Sequence, residues 1–228
     1  MKKVMLLAAV AGVMLFCGGS SSDDEGKDDN NNKRKNGEVY TSDGIEMVYV
    51  EGSDTVKGFY IGKYEVTQKQ YQDVMDTNPS GFKGDNRPVE RVNWDDVQEF
   101  IKKLNARTGR SYRLPTATEG EYAAREGTKK SNYEYSGSKD INEVAWYEEN
   151  SNGETHPVGE KKPNALGIYD MTGNVHEWCQ DCWDSSCSYR WHRGGSWDDR
   201  AERCRVAFRH ADTPDDRDYH LGFRLALP

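Results

Sequence analysis

Apolar residues come in short runs broken by turn residues, and only the first half of the chain sustains a helical period. Met47–Val50 and Phe59–Gly62 read as short strands bounded by Gly, Asp and Ser. Thr67–Met75 is predicted to be a helix, with Thr67 as N-cap and Tyr71, Val74 and Met75 on one face. A second helix is predicted from Asn93 or Asp95 to Arg107. Trp94, Val97, Phe100, Ile101 and Leu104 recur there at three- and four-residue spacings, and Gly109 stops it. A third covers Thr118–Arg125, after the Pro115 turn. Past Glu126 the helical period disappears, leaving short aromatic strands expected at Val144–Tyr147, Gly167–Asp170 and Gly222–Leu227 among loops rich in Asn, Gly and Pro. This is the pattern of a single loop-rich α+β domain, whose loops need a metal or disulfides to hold them.

The first residues follow a different pattern. Lys2 and Lys3 precede an apolar run, Val4 to Phe16, that ends at Cys17. The run is shorter than the ~20 apolar residues that cross a bilayer, so it reads as an export signal. A cysteine at its exit resembles a bacterial lipoprotein signal, with residues 1–17 as the signal and Cys17 lipidated. An ordinary cleaved secretory peptide is the alternative. Residues 18–44, dominated by Ser, Asp, Asn and Lys, are expected to be a disordered polar tether. The folded domain is then expected over 45–228. The expected location is outside the cytoplasm, lipid-anchored to a bacterial cell envelope, at the outer membrane or cell surface.

Composition narrows the function classes. The net charge is −8, and charged residues make up 31% of the chain against 35% hydrophobic. An acid excess argues against a nucleic-acid partner, which calls for a basic face. Aromatic residues at 11% argue against a wholly disordered chain. Beyond Cys17 the cysteines are Cys179, Cys182, Cys187 and Cys204, an even set that in an oxidising compartment suggests disulfides, with the pairing open. Cys179 and Cys182 could alternatively form a redox or zinc motif, with Cys187 and His192 as further ligands.

Several collinear segments carry a resemblance. They are Tyr64-Glu-Val-Thr-Gln68, Pro88-Val89 with Val92-Asn-Trp94, and Arg113-Leu-Pro-Thr-Ala-Thr-Glu-Gly-Glu-Tyr-Ala-Ala-Arg125. Then come Gly167-Ile-Tyr-Asp-Met-Thr-Gly-Asn-Val-His-Glu-Trp178, Arg193-Gly-Gly-Ser-Trp197 and Gly222-Phe-Arg-Leu225. In this order they resemble the formylglycine-generating enzyme, or sulfatase-modifying factor, family. The resemblance implies a loop-rich α+β variant of the C-type lectin fold. It also implies a copper-dependent oxidase in some members, which bind Cu(I) through two cysteines. The second of these positions is Cys204, but the first is Asp199, a hard carboxylate that does not replace a thiolate. Under an oxidase reading, Ser196 and Trp197 would line the cleft beside Cys204; otherwise Cys204 is a disulfide partner for Cys179. The iron-dependent sulfoxide synthases of the family are a poor match: the histidines here show no His-x-x-x-His spacing, and there is no room for their extra helical bundle. The family also implies a structural calcium held by the Asp170, Gly173 and Val175 carbonyls and the Glu177 side chain.

The stretch from Trp197 alternates a fixed-looking frame with arbitrary positions. It resembles the variable region of proteins diversified by retroelements, in which a reverse transcriptase randomises adenines in Asn-type codons. Asp198, Asp199, Phe208, His210, Ala211, Asp212, Thr213, Asp218, Tyr219, His220 and Leu221 are the candidate positions, and none holds a residue that such codons exclude. The candidate contact surface is Trp197, Asp198, Asp199, Phe208, His210, Asp212, Asp218, Tyr219 and His220, facing a protein or glycan ligand outside the cytoplasm. The function expected is therefore non-catalytic ligand binding by a diversified receptor or adhesin. A formylglycine-generating oxidase using Cys204 and copper, and an assembly lipoprotein of the envelope, are the alternatives.

Overall fold

The structure is a computed structural model that describes residues 34–228. The export-type segment, Cys17 and the tether up to residue 33 lie outside the described residues. The tether expectation is corrected at its far end, because Val39–Ser42 is strand β1, antiparallel to β2 (Ile45–Val50). The missed signal is Asp43-Gly44. Both residues have positive φ, 53° and 74°, the conformation of a two-residue hairpin turn whose twist matches the flanking strands.

β3 (Phe59–Gly62) pairs antiparallel with β2, and β8 (Ala226–Leu227) closes this first sheet in the order β1-β2-β3-β8. Alternation along β2 sends Ile45 and Met47 into one cluster of buried side chains and Val48 and Val50 into another. The sheet therefore has apolar packing on both faces. The first face meets α1 (Gln68–Met75) and α2 (Trp94–Thr108) through Tyr71, Val97, Phe100 and Leu104. The second meets α3 (Ala117–Ala124) through Ala123 and Ala124. All three helices begin with capping boxes, at Thr67, Asn93 and Thr116. They match the predicted helices to within a residue or two, and Gly109, left-handed at φ 67°, ends α2.

The second sheet, in the order β6-β5-β4-β7, is built, Gly222 apart, from segments without a strand prediction. They are β4 (His176–Cys182), β5 (Arg190–Arg193), β6 (Arg209–Asp212) and β7 (Leu221–Gly222). The strands expected later in the chain fare worse. Val144 ends the short helix α4 (Ile141–Val144), and Gly167–Asp170 makes no ladder. Their apolar residues are buried by loop packing instead: Val144, Ala145 and Tyr147 surround Cys204, while Leu166 and Ile168 join the core beneath β2. The single strand expected over Gly222–Leu227 is split, with β7 in one sheet and β8 in the other.

Arg224 sits at that crossing and is fully buried. Its Nε and Nη2 donate to Glu177 Oε1 on β4 at 2.9 and 2.7 Å, Nη1 to the Gly62 carbonyl ending β3, and Nη2 also to the Tyr169 carbonyl. One guanidinium thus binds both sheets and the loop between. Removing one partner of a buried pair leaves an uncompensated charge, at a cost of about 3–5 kcal/mol. Arg224→Met should therefore lower the unfolding free energy by about that amount in urea denaturation. The double variant Arg224→Met, Glu177→Leu should recover part of the loss.

Candidate functional site

The second sheet gathers residues that lie far apart in sequence. On β5 and β6, His192 faces His210 across the ladder, with Asp212 two residues further along the same face. On the other side of β5, His192 is opposite Trp178 of β4. His176 opens β4 beside Leu221, and its backbone N–H donates to the His220 carbonyl. The imidazoles consequently gather edge-on or tilted into one group: ring centroids are 4.5 Å apart for His176 and His192, 5.4 Å for His192 and His210, and 5.5 Å for His176 and His220.

Each histidine faces a carboxylate. His176 Nε2 donates to Asp199 Oδ2 at 2.6 Å, and His192 Nε2 donates to Asp212 Oδ2 at 2.7 Å. His220 Nδ1 lies 3.6 Å from Asp198 and 3.5 Å from Asp218. Ser196 Oγ lies 2.7 Å from Asp198 Oδ1 and 2.8 Å from Asp199 Oδ2, its one proton serving both. Burial would raise the Asp199 carboxyl, but the His176 hydrogen bond and charge hold it well below the ordinary range. The Asp212 carboxyl is lowered by its hydrogen bond from His192. Burial, together with the neighbouring His176, pushes His192 down to about 4. At neutral pH, His192 is therefore an uncharged ring among acids. For His220, burial is outweighed by the hydrogen bond to Asp198 and the field of Asp218, which raise it.

These groups line a cavity of about 290 Å³. Of the expected contact residues, Asp198, Asp199, Phe208, His210, Asp212, Asp218 and His220 are on its wall; His176, His192, Arg203 and Asp216 complete it. Trp197 and Tyr219 form the adjoining rim: Trp197 Nε1 donates to the Tyr219 carbonyl, and Phe82 packs edge-on against both rings. Tyr219 lies against the backbone of Gly81, where a side chain would collide with the ring, and Arg91 sits 4.8 Å from its centroid. Two candidate variable positions are corrected. Leu221 is buried in the main core, and Asp199 is only 6% exposed, so neither offers a free contact face.

Sequence reasoning missed a neighbouring aromatic surface. Trp183, Tyr189 and Trp191 line a second cavity of about 430 Å³ with Arg209, His210 and Ala211, and Arg209 lies over the Trp191 ring. Trp183 and Tyr189 are 52% and 41% exposed, which is unusual for such large rings without a partner. The only signal in the sequence was the aromatic density between Cys182 and His192.

The cysteine expectations change. The disulfide joins Cys182 to Cys187, with Cα atoms 4.8 Å apart, closing the turn that presents Trp183. Cys179 and Cys204, the expected pair, are both buried free thiols in separate surroundings. Cys179 lies within β4, its Sγ 3.7 Å from the Glu177 carbonyl, whereas Cys204 packs with Tyr135, Ile141 and Tyr147, its Sγ 3.9 Å from the Ser196 carbonyl. A zinc knuckle through Cys182 and Cys187 is removed by the same bond. Gly195 is left-handed at φ 73°, and any Cβ there would meet Cys204 Sγ at 2.6 Å, so the Gly-Gly-Ser turn is closed directly over the thiol. Burial and the Asp199 charge push this thiol up to about 12. It is a neutral, covered group, and the residue across from it is a carboxylate bound to His176.

The loop expected to hold calcium turns on left-handed Asp170, Gly173 and Asn174, at φ 53°, 80° and 63°. Here Glu177 spends Oε1 on Arg224, while Asp170 Oδ2 accepts from the Gly159 N–H and its buried Oδ1 has no partner. Glu65 lies alongside, accepting from the Asn174 side chain and the Val175 N–H. Burial raises Asp170 to about 6; burial and the charges of Asp170 and Glu177 push Glu65 well above the ordinary range. The site is a buried acid excess with an orphan carboxylate oxygen, chemistry that suits a hard cation.

Residues 18–228 match the model of the sulfatase-modifying factor enzyme 1-like domain, so the chain belongs to that family. It has the family's loop-rich variant of the C-type lectin fold. It is similar to a Paenibacillus barcinonensis protein named chaperone protein LppX, 40% identical over 65% of this chain and 72% of the relative. The formylglycine-generating enzyme of Streptomyces coelicolor is 32% identical over 65% of this chain and 56% of its own length. The inactive C-alpha-formylglycine-generating enzyme 2 of Bos taurus is 34% identical over 61% and 50%. The chain thus spans only about half the length of these last two relatives. Among solved structures, Treponema denticola variable protein 1 superposes with a TM-score of 0.75 at 30% identity, over 83% of this chain and 98% of that one.

Peptide mapping without reduction should recover a Cys182–Cys187 crosslink. Alkylation should reach Cys179 and Cys204 only after unfolding. A Cys179–Cys204 crosslink would contradict this arrangement.

Proposed function

We propose that this is a non-catalytic ligand-binding protein, exported and lipid-anchored through Cys17, whose contact surface is the rim and cavity formed by its C-terminal segment. The observation that carries the proposal is the convergence of Asp198, Phe208, His210, Asp212, Asp218 and His220 on one cavity. Chain order alone would scatter them, yet they share a wall with Trp197 and Tyr219 as aromatic rim. A loop surface on a rigid sheet is how variable contact positions tolerate change without unfolding the scaffold. The similarity to a protein named as variable supports the same reading. Asp199 bound to His176, and Cys204 covered as a neutral thiol, both speak against the two-thiolate copper site of an oxidase. The exposed Trp183–Tyr189–Trp191 patch extends the surface toward a protein or glycan ligand.

A second reading, an assembly lipoprotein of the envelope, is favoured by the similarity to a protein named as a chaperone. The gene itself separates the two. Diversification predicts pyrimidine-ended codons at the exposed variable positions and a near-copy of the 3′ end beside a reverse transcriptase. Purine-ended codons at most of those positions would leave the assembly reading. As the activity control, the protein supplied with copper and oxygen should not convert a Cys-x-Pro-x-Arg peptide to formylglycine. Conversion that is lost in Cys204→Ser would overturn the non-catalytic reading.

The reading includes a structural calcium ion at the Asp170–Glu177 loop, with the Gly173 and Val175 carbonyls and the orphan Asp170 oxygen as donors. A cation there would offset the buried acid excess. Calcium should raise the melting temperature of the protein at neutral pH and chelation should lower it. Asp170→Asn should abolish that response.

A further inference from the structure

Within the wall of the cavity, three donor groups stand close enough to share one ion. Single ligand atoms of His192, His210 and Asp212 all lie within 4.8 Å of one another. Asp212 bridges the set, with Oδ2 2.7 Å from His192 Nε2 and Oδ1 3.9 Å from His210 Nδ1. The arrangement follows from strand geometry rather than loop chance. His192 and His210 are paired residues of adjacent antiparallel strands, and Asp212 lies two positions along the second strand, so all three project from one face.

His192 is 2% exposed and lines the same cavity, so the sheet holds its ring with Nε2 toward Asp212. A further observation points to a cation. The rest of the wall carries Asp198, Asp199, Asp216 and Asp218 against a single arginine, Arg203. The walls therefore favour positive charge, and the donors are imidazole and carboxylate without thiolate.

We propose that His192, His210 and Asp212 bind one divalent transition-metal ion of the zinc class. Imidazole nitrogen with carboxylate oxygen suits this class better than it suits calcium or magnesium, which prefer all-oxygen sites. On binding, the one proton of the neutral His192 ring passes from Nε2 to Nδ1 and Asp212 turns its carboxylate from the ring to the ion, so no net proton is released from this residue. Three protein ligands leave a coordination position open toward the cavity, where water or a donor atom of a bound ligand completes the shell. Exposed His210 and half-buried Asp212 close the site from the solvent side, while buried His192 fixes it to the sheet. This metal site is separate from the calcium-type loop, and it stands whether or not the contact surface is diversified.

The test is titration of the full chain with Zn²⁺ alone in calcium-containing buffer, followed by calorimetry, with Co²⁺ as a spectroscopic probe. One saturable Zn²⁺ per chain is expected. Co²⁺ should give the visible bands of a four- or five-coordinate site without thiolate-to-cobalt charge transfer. His210→Ala and Asp212→Asn should each weaken Zn²⁺ binding by roughly tenfold or more. Both substitutions lie at the solvent side of the sheet, so an unchanged circular dichroism spectrum and calcium response will show that the fold is retained. Absence of saturable Zn²⁺ binding overturns the proposal. So does stoichiometric binding that both variants retain, or a thiolate–cobalt band.

Discussion

The buried Arg224–Glu177 pair is the interaction on which the two-sheet architecture depends. The guanidinium has no solvent to fall back on, so every N–H must find an acceptor inside the protein. It takes them from a strand of each sheet and from the loop that precedes β4. Its cation also offsets Glu177 in a region that holds Glu65 and Asp170 as well. The charge that would otherwise be least tolerable in this interior thus becomes the joint between its halves.

With β4 fixed by that pair, the edge of the second sheet is free to carry chemistry. β4 holds His176, β5 holds His192, and β6 offers His210 and Asp212 on the same side. The irregular segments on either side then need only deliver Asp198, Phe208, Asp218 and His220 to a rigid wall. Structural demands and contact demands fall on different residues: Trp178, Leu221, Phe223 and Arg224 are buried, while Tyr219, Trp183 and Tyr189 face outward. That division would let a loop-rich domain keep one fold under the proposed variation of its rim.

Local signals were readable in the sequence. Thr67 and the apolar period from Trp94 to Leu104 announced the first two helices because a cap and a periodic face act over a few residues, and the collinear motifs announced the family. The second sheet was not legible. Its strands are short, rich in His, Arg, Cys and Asp, and held by partners far away in the chain. Nothing in the sequence between His192 and His210 shows that they face one another. The cysteine pairing failed for the same reason: family position favoured Cys179 and Cys204, whereas the short turn of Asp184 to Ser186 brings Cys182 and Cys187 together. The proposed contact surface was legible as a list of positions, but Asp199 in that list and the candidate variable position Leu221 are both buried.

The segment Leu221–Leu227 contributes a strand to each sheet and places Arg224 162 residues from its Gly62 acceptor. Neither sheet is complete, and no cation joins them, until this stretch is present. During synthesis the helices can form early, but closure of the two sheets waits for residues 221–227. Under the proposed export, the chain would stay unlocked until residues 221–227 had joined both sheets.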